Sequence, residues 1–101
     1  MKRERRRQRV AEITPETHPV LRSLFRLQWE EAQQAWVLLY PEGMVRLNVP
    51  AAEILKRCDG SNDVAALVHD LERAFGASDL ENDVHEFLRD AANHGWIEFA
   101  E

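Results

Sequence analysis

The sequence contains a single cysteine, Cys58, so it cannot form an internal disulfide bond, which agrees with a reducing compartment. No apolar run approaches the roughly 20 residues that span a bilayer, and the N-terminus lacks the apolar core of a secretory signal. These absences exclude a membrane-spanning chain. They predict a protein of the cytoplasm that has no membrane partner.

Signatures of catalysis and of ligand binding are also missing. The four glycines are scattered, so there is no glycine-rich phosphate loop. The four histidines show no zinc-ligand spacing with one another or with Cys58. Cys58 lies on the apolar side of a predicted helix with no base nearby in sequence, as is usual for a buried structural thiol. We therefore predict that the protein is not an enzyme and has no cofactor and no metal site.

Basic residues are concentrated at the N-terminus. The net charge is −5, but residues 1–17 hold six basic and three acidic side chains, which leaves the remainder near −8. We predict that residues 1–17 form a mobile basic arm and that residues 18–101 form a single domain. The arm is either a solvated tail or a contact for nucleic acid or another anionic surface.

Alternation of apolar and polar residues predicts three strands, at residues 25–29, 36–40 and 44–48. Pro41 and Gly43 favour a three-residue hairpin loop with a bulge between the second and third strands. Together the strands form an antiparallel meander. In the last strand and just after it, one face should point into the core and carries Val45, Leu47 and Val49.

Helical periodicity begins at Pro50, which is tolerated in a first turn, and continues to Cys58. Asp63 is the expected N-cap of a second helix, and Gly76 is its expected stop. The apolar stripe of this second helix should face the core and comprises Val64, Leu67, Val68, Leu71 and Phe75.

A third helix is predicted to begin at a capping box formed by Ser78 and Glu81 and to end at Gly95. Residues 96–99 alternate as a short extended tail. The apolar stripe of the third helix comprises Leu80, Val84, Phe87, Leu88 and Ala91. The predicted fold is α+β and winged helix-turn-helix-like, with a three-stranded antiparallel meander followed by three helices that cover one of its faces.

A winged-helix fold raises the alternative of a DNA-binding regulator. Its third helix would have to enter a groove lined by phosphates, but this helix carries several acids and the single base Arg89. A DNA-binding protein of this kind would depend on the basic arm. We therefore expect no nucleic-acid partner.

The last strand of the meander has one neighbour inside the predicted sheet. An open edge of this kind accepts an extended peptide as an added strand, with an adjacent helix supplying apolar contacts. The equally weighted alternative is that the helices or residues 96–99 cover this edge.

Several motifs follow one another in an order that resembles a known family. They are RLQWEEAQQAWVLLYPEGMVRLN, AAEILKRCDG, DVHEFL and GW, between residues 19 and 96. In this order and spacing they resemble the pyrroloquinoline quinone biosynthesis protein D family. The resemblance implies that residues 18–101 are a peptide-recognition domain. It also implies a peptide chaperone that binds a ribosomal precursor peptide and presents it to a radical S-adenosylmethionine (SAM) iron–sulfur enzyme.

The resemblance also implies the position of the site. Related recognition domains hold the peptide as an added strand beside the third strand and against the third helix. On this chain the strand positions are Met44, Val45, Arg46, Leu47 and Asn48. The helix wall would comprise Val84, Phe87, Leu88 and Ala91. The oligomeric state expected is a monomer or a dimer formed by hairpin exchange.

The chain departs from the family pattern at Pro50, where relatives usually carry Ser or Thr as a helix cap. We expect Asn48 or the preceding backbone to cap the first helix instead.

Overall fold

The structure is a computed structural model that describes residues 13–100. Within that range the chain forms five β-strands and three α-helices. In chain order these are β1 (His18–Leu21), β2 (Arg26–Glu30), β3 (Ala35–Tyr40), β4 (Gly43–Leu47), α1 (Val49–Lys56), α2 (Val64–Phe75), α3 (Glu81–Asn93) and β5 (Ile97–Ala100). The predicted α+β class is confirmed. The predicted basic arm lies largely outside the described residues.

Strands β2, β3 and β4 form an antiparallel sheet in that order, as the alternating pattern predicted. Trp36 of β3 pairs with Trp29 of β2 on one side and with Leu47 of β4 on the other. The turn between β3 and β4 differs from the prediction, because Tyr40 pairs directly with Gly43. The loop therefore has two residues and no bulge, and Gly43 belongs to the strand.

The central strand β3 is buried on both faces. Val37 and Leu38 are neighbours in sequence, so they point to opposite sides of the sheet, yet both have 0% of their surface exposed. Leu38 belongs to the core beneath the helices. Val37 lies on the outer face, where its cross-strand neighbours Gln28 and Arg46 flank it. The aliphatic stems of such side chains shield an apolar neighbour while their polar ends reach water.

A second sheet joins the two ends of the domain. Strands β1 and β5 pair antiparallel, with Leu21 opposite Ile97. The backbone N–H of Leu21 also donates to the carbonyl of Cys58 at 2.8 Å, which ties β1 to the segment after α1. Sequence analysis predicted an extended tail near residue 97 but missed β1, because four residues that include Pro19 show no clear alternation.

Helices α1 and α2 begin at side-chain caps. The Oδ1 of Asn48 accepts a 2.9 Å hydrogen bond from the backbone N–H of Ala51, and Asp63 accepts one from Ala66 at 2.8 Å. Gly76 ends α2 in the left-handed conformation, with φ of 61°. The cap of α1 by Asn48, expected from Pro50 in the first turn, is confirmed.

Two details near the helix starts were predicted wrongly. Val49 is 60% exposed rather than core-facing, because the chain turns into α1 at this residue and the two-residue period of β4 ends before it. The Ser78–Glu81 capping box is absent, since Leu80 occupies the N-cap of α3 and makes no side-chain cap bond. Asp79 has φ of 60° and turns the chain there. The backbone N–H of Leu80 donates instead to Glu72 of α2 at 3.1 Å.

The core lies between the inner face of the sheet and the three helices. Its buried members are Leu38, Leu47, Ala52, Ile54, Leu55, Cys58, Val64, Leu67, Val68, Leu71, Val84, Leu88, Ala91 and Ile97. The predicted stripes of α2 and α3 are confirmed except at Phe75, which is 44% exposed at the last turn of α2. The exposed side chain of Phe75 lines an apolar cavity between the helices.

We expect Asn48→Ala to lower the free energy of unfolding by about 1 kcal/mol, because the first-turn N–H of Ala51 loses its acceptor. Urea denaturation followed by circular dichroism measures this loss. Asn93→Ala is the matched control. Asn93 is the last residue of α3, and the C-terminal end of a helix leaves carbonyl groups, not N–H groups, without a partner in the helix. Equal losses in the two variants would contradict the capping role.

Candidate functional site

Strand β4 is an edge of the three-stranded sheet. It pairs with β3, and within residues 13–100 no strand pairs with its other side. Residues 97–100 pair with β1 and therefore do not cover this edge. Of the two coverings considered from the sequence, the C-terminal segment is excluded.

The hairpin register indicates which backbone groups point outward. Tyr40 and Gly43 flank the two-residue turn, where the first and fourth residues share a hydrogen bond. Pairs along an antiparallel ladder then alternate, so Val45 and Leu47 bond to β3. We infer that the N–H and C=O groups of Met44 and Arg46 point away from the sheet. Neither residue makes another backbone hydrogen bond within the described part of the chain.

Side chains of the predicted strand segment divide between two faces. Leu47 is buried in the core, and Val45 is partly buried against it. Met44, Arg46 and Asn48 are exposed, and Asn48 is engaged as the cap of α1. The five predicted residues are therefore adjacent, but only Met44, Arg46 and Asn48 have side chains exposed on the surface.

The predicted helix wall lies mostly inside the core. Val84 is 2% exposed, and Leu88 and Ala91 are fully buried. Phe87 is partly buried and is the one member of the four with substantial surface left. Val84, Leu88 and Ala91 therefore lie in the core and support the exposed surface of the helix wall, to which Phe87 belongs.

An apolar cavity of about 270 Å³ opens where the three helices meet. It is lined by Pro50, Ile54, Leu71, Phe75, Ala77, Leu80, Asp83 and Val84. Pro50 lies three residues after the end of β4, and Val84 was predicted as part of the helix wall. Asp83 is the only charged residue in the lining.

The sequence does not predict this cavity, because Phe75 continues the apolar stripe of α2 and is therefore expected in the core. The signal that could have revealed it is the position of Phe75 directly before the stop at Gly76, where little chain remains to cover it.

An ion cluster holds together two of the helices that line the cavity. Arg57, after α1, donates to Glu53 at 2.9 Å and to Asp70 of α2 at 2.6 Å. The hydrogen bond from Arg57 holds the pKa of the Asp70 carboxyl below its usual value. Hydrogen bonds from Lys56 and then Arg57 lower the pKa of Glu53 in the same way. Both carboxylates therefore stay ionised near neutral pH.

The thiol of Cys58 is buried in the core and weakly acidic. Burial, and to a smaller extent the neighbouring Asp59, raises the pKa of the Cys58 thiol to about 12. Its Sγ donates to the carbonyl of Ile54 at 3.3 Å. Within residues 13–100, no three His, Cys, Asp or Glu side chains are placed to hold a metal ion. In the same range no helix is long and apolar enough to cross a membrane.

An open strand edge beside an apolar cavity defines the class of small α+β binding domains that take an extended ligand. Comparison with known proteins gives the particular family. The family model "Coenzyme PQQ synthesis protein D (PqqD)" matches residues 35–97. The chain belongs to the PqqD family.

Curated relatives agree with this assignment. The PqqA binding protein of Methylococcus capsulatus is 52% identical over 85 residues, which cover 84% of this chain and 91% of the relative. That of Azotobacter vinelandii is 51% identical over 90 residues, or 88% and 98% of the two chains.

A solved structure shares the fold. The solution NMR structure of the PqqD truncation of Methylobacterium extorquens PqqCD, described as a stand-alone recognition element for ribosomally synthesized and post-translationally modified peptides, matches with a TM-score of 0.73. It is 27% identical, and the match covers 88% of this chain and 97% of that one.

At pH 8 we expect Cys58 of the folded chain to react with iodoacetamide at least about 100-fold more slowly than in the guanidinium-unfolded chain, because burial raises the pKa of this thiol. Only the thiolate reacts, and the raised pKa makes thiolate rare in the folded state. Mass spectrometry of quenched samples measures both rates. Comparable rates would contradict the burial of this thiol.

The raised pKa of Cys58 also makes the stability of the fold depend on pH. The unfolded chain loses its thiol proton near pH 9, whereas the folded chain retains its proton up to about pH 12. Over this window the folded state binds more protons, so the contribution of Cys58 to the free energy of unfolding falls as the pH rises.

Proposed function

We propose that this chain binds the PqqA precursor peptide by strand addition to β4 and serves as a binding protein rather than an enzyme in pyrroloquinoline quinone biosynthesis. The observation that carries the proposal is the open edge of β4, where the backbone groups of Met44 and Arg46 point outward. An apolar cavity, whose lining includes Pro50 three residues after this strand, accompanies the edge. Support comes from the relatives, which are PqqA binding proteins, and from the similar peptide-recognition element.

Backbone pairing supplies the first part of the binding energy. Met44 and Arg46 offer two donors and two acceptors to an extended chain, in the pattern that an antiparallel neighbour requires. Such bonds do not depend on the side chains of the ligand. They favour any extended peptide, so selectivity has to come from elsewhere.

The apolar cavity supplies this selectivity. Its volume of about 270 Å³ accommodates a large apolar side chain. Full burial of a side chain such as Leu or Phe contributes roughly 1.5–3 kcal/mol. Pro50, which lines the cavity, lies three residues after the C-terminal end of β4. In this proposal a peptide laid antiparallel along β4 and continuing past Leu47 would direct a residue near its own N-terminal end toward the cavity.

The helix wall completes the proposed site. Phe87 provides its exposed surface, while Val84, Leu88 and Ala91 lie beneath and fix the position of α3. Val45 and Leu47 play the same supporting role under β4. The nine residues implied by the family resemblance thus divide into contact residues and residues that support them.

The mode of binding determines the affinity that we expect for the peptide and the kind of protein that receives it. An unstructured peptide loses conformational entropy when it becomes a strand, so we expect an affinity on the order of micromolar, which allows release to a second protein. We propose that this second protein is the radical SAM enzyme, and that the exchange occurs in the cytoplasm, where a ribosomal peptide is made. The expected monomer or hairpin-exchanged dimer stays a prediction.

The surface of α3 argues against the rival DNA-binding function. Glu81, Asp83, Glu86 and Asp90 are all exposed on it, against the single base Arg89. A helix with this charge repels the phosphates of a groove.

We expect Arg46→Pro to weaken binding of the synthetic precursor peptide roughly fivefold or more, because proline removes an outward N–H and loses one hydrogen bond worth about 1 kcal/mol or more. Proline is tolerated at edge positions whose N–H faces solvent, so the fold should persist. Titration calorimetry gives the dissociation constant, and a ¹H–¹⁵N spectrum verifies the fold.

Arg46→Ala is the matched control, since it removes the same side chain but keeps the backbone N–H. Equal affinities for the alanine and proline variants would contradict strand addition at β4. A scan of N-methylated peptides tests the same point without altering the protein, because affinity should fall at every second peptide position.

We expect Phe75→Ala to weaken peptide binding roughly tenfold or more, since one wall of the apolar cavity is removed while little core packing is lost. Leu24→Ala is the control, because Leu24 is similarly exposed but does not line the cavity. The same calorimetric titration compares the two variants. If both variants bind like the wild type, the cavity is not part of the site.

A further inference from the structure

A second cavity lies between α2 and α3. Its volume is about 390 Å³, and it shares no lining residue with the apolar cavity near β4. Its lining includes three carboxylates, from Glu72, Asp79 and Glu81, and two imidazoles, from His69 and His85, but no lysine or arginine. The peptide-binding proposal does not use this cavity.

The N-terminal chain enters the domain at the mouth of this cavity. Pro15 is one of its lining residues, and the carbonyl of Pro15 accepts a 3.0 Å hydrogen bond from the N–H of Ala65 in α2. Two residues later, Thr17 accepts a 2.8 Å bond from Val64. Residues 14–17, which were assigned to the arm from sequence, therefore include an attachment to the start of α2.

The chain before this attachment carries the opposite charge to the cavity. Residues 2–9 contain six basic side chains and one acidic side chain. Five residues lie between Arg9 and Pro15, so the two Cα atoms are at most about 20 Å apart when the chain is extended. A tethered group of this kind meets the cavity at an effective concentration on the order of millimolar, so even a weak contact is populated.

We propose that this cavity binds an arginine side chain from residues 1–12 of the same chain. The guanidinium would pair with Glu81 and Asp79, which are exposed, and would reach the partly buried Glu72 behind them. Arginine suits the site because its planar fork bonds two carboxylate oxygens at once. The contact joins the N-terminal arm to α2 and α3. The arginine bound in the cavity is then not available to bind other anions.

The test uses the full chain with Arg3, Arg5, Arg6, Arg7 and Arg9 all replaced by glutamine. At low salt, the ¹H–¹⁵N spectrum should differ from that of the wild type at amides around the cavity, such as Ala65, Asn82 and His85, and not at β3. Adding 0.5 M NaCl to the wild type should produce the same changes, because salt screens the contact.

Substitution of the cavity carboxylates makes the test specific. In a chain carrying Asp79→Asn and Glu81→Gln, the arginine replacements should cause no further change at these amides. The matched control, Glu86→Gln with Asp90→Asn, removes two charges from α3 outside the cavity and should leave the arm-dependent changes intact.

Three results would overturn the proposal. The arginine replacements could leave the cavity amides unmoved, or they could shift amides at other acidic positions instead. They could also act equally in the chain that lacks the cavity carboxylates. The first result, combined with binding of an added arginine-rich peptide to the cavity, would assign the site to a partner protein. None of these results depends on binding of the precursor peptide at β4.

Discussion

Burial of both faces of β3 is the constraint on which the rest of the structure depends. Val37 and Leu38 have no exposed surface, although they point to opposite sides of the sheet. A strand of this kind has to be central, so β2 and β4 must flank it. The helices can cover only the face that Leu38 occupies, and the long side chains of Gln28 and Arg46 flank Val37 on the other. The central position of β3 therefore makes β4 an edge.

The two ends of the domain keep that edge open. Strands β1 and β5 pair with each other and with the segment after α1, so neither extends the larger sheet. This arrangement makes the proposed site a property of the backbone. Its main feature is a row of backbone hydrogen-bonding groups without a partner in the described part of the chain. A site of this kind does not require reactive side chains.

The junction between β4 and α1 connects the two halves of the proposed site. Asn48 ends the strand segment and caps the helix, which turns the chain within two residues and brings Pro50 to the wall of the apolar cavity. At the far end of α1, Arg57 joins this helix to Asp70 of α2. Pro50 in the first turn of α1 is thus accommodated by the Asn48 cap, and Pro50 itself lines the apolar cavity.

Local chemistry in the sequence determined most of the secondary structure. Alternation placed β2, β3 and β4, the spacing of apolar residues placed the helices, and Asp63 and Gly76 marked the limits of α2, because each of these signals acts within a few residues. Features that needed the tertiary structure include the β1–β5 pairing, the start of α3, the exposure of Val49 and Phe75, and the burial of Leu88 beneath the predicted binding surface. Periodicity shows which side chains share a face, but not what covers that face. Only the folded chain decided that Leu88 lies in the core while Phe75 borders an open cavity, because burial depends on residues distant in sequence.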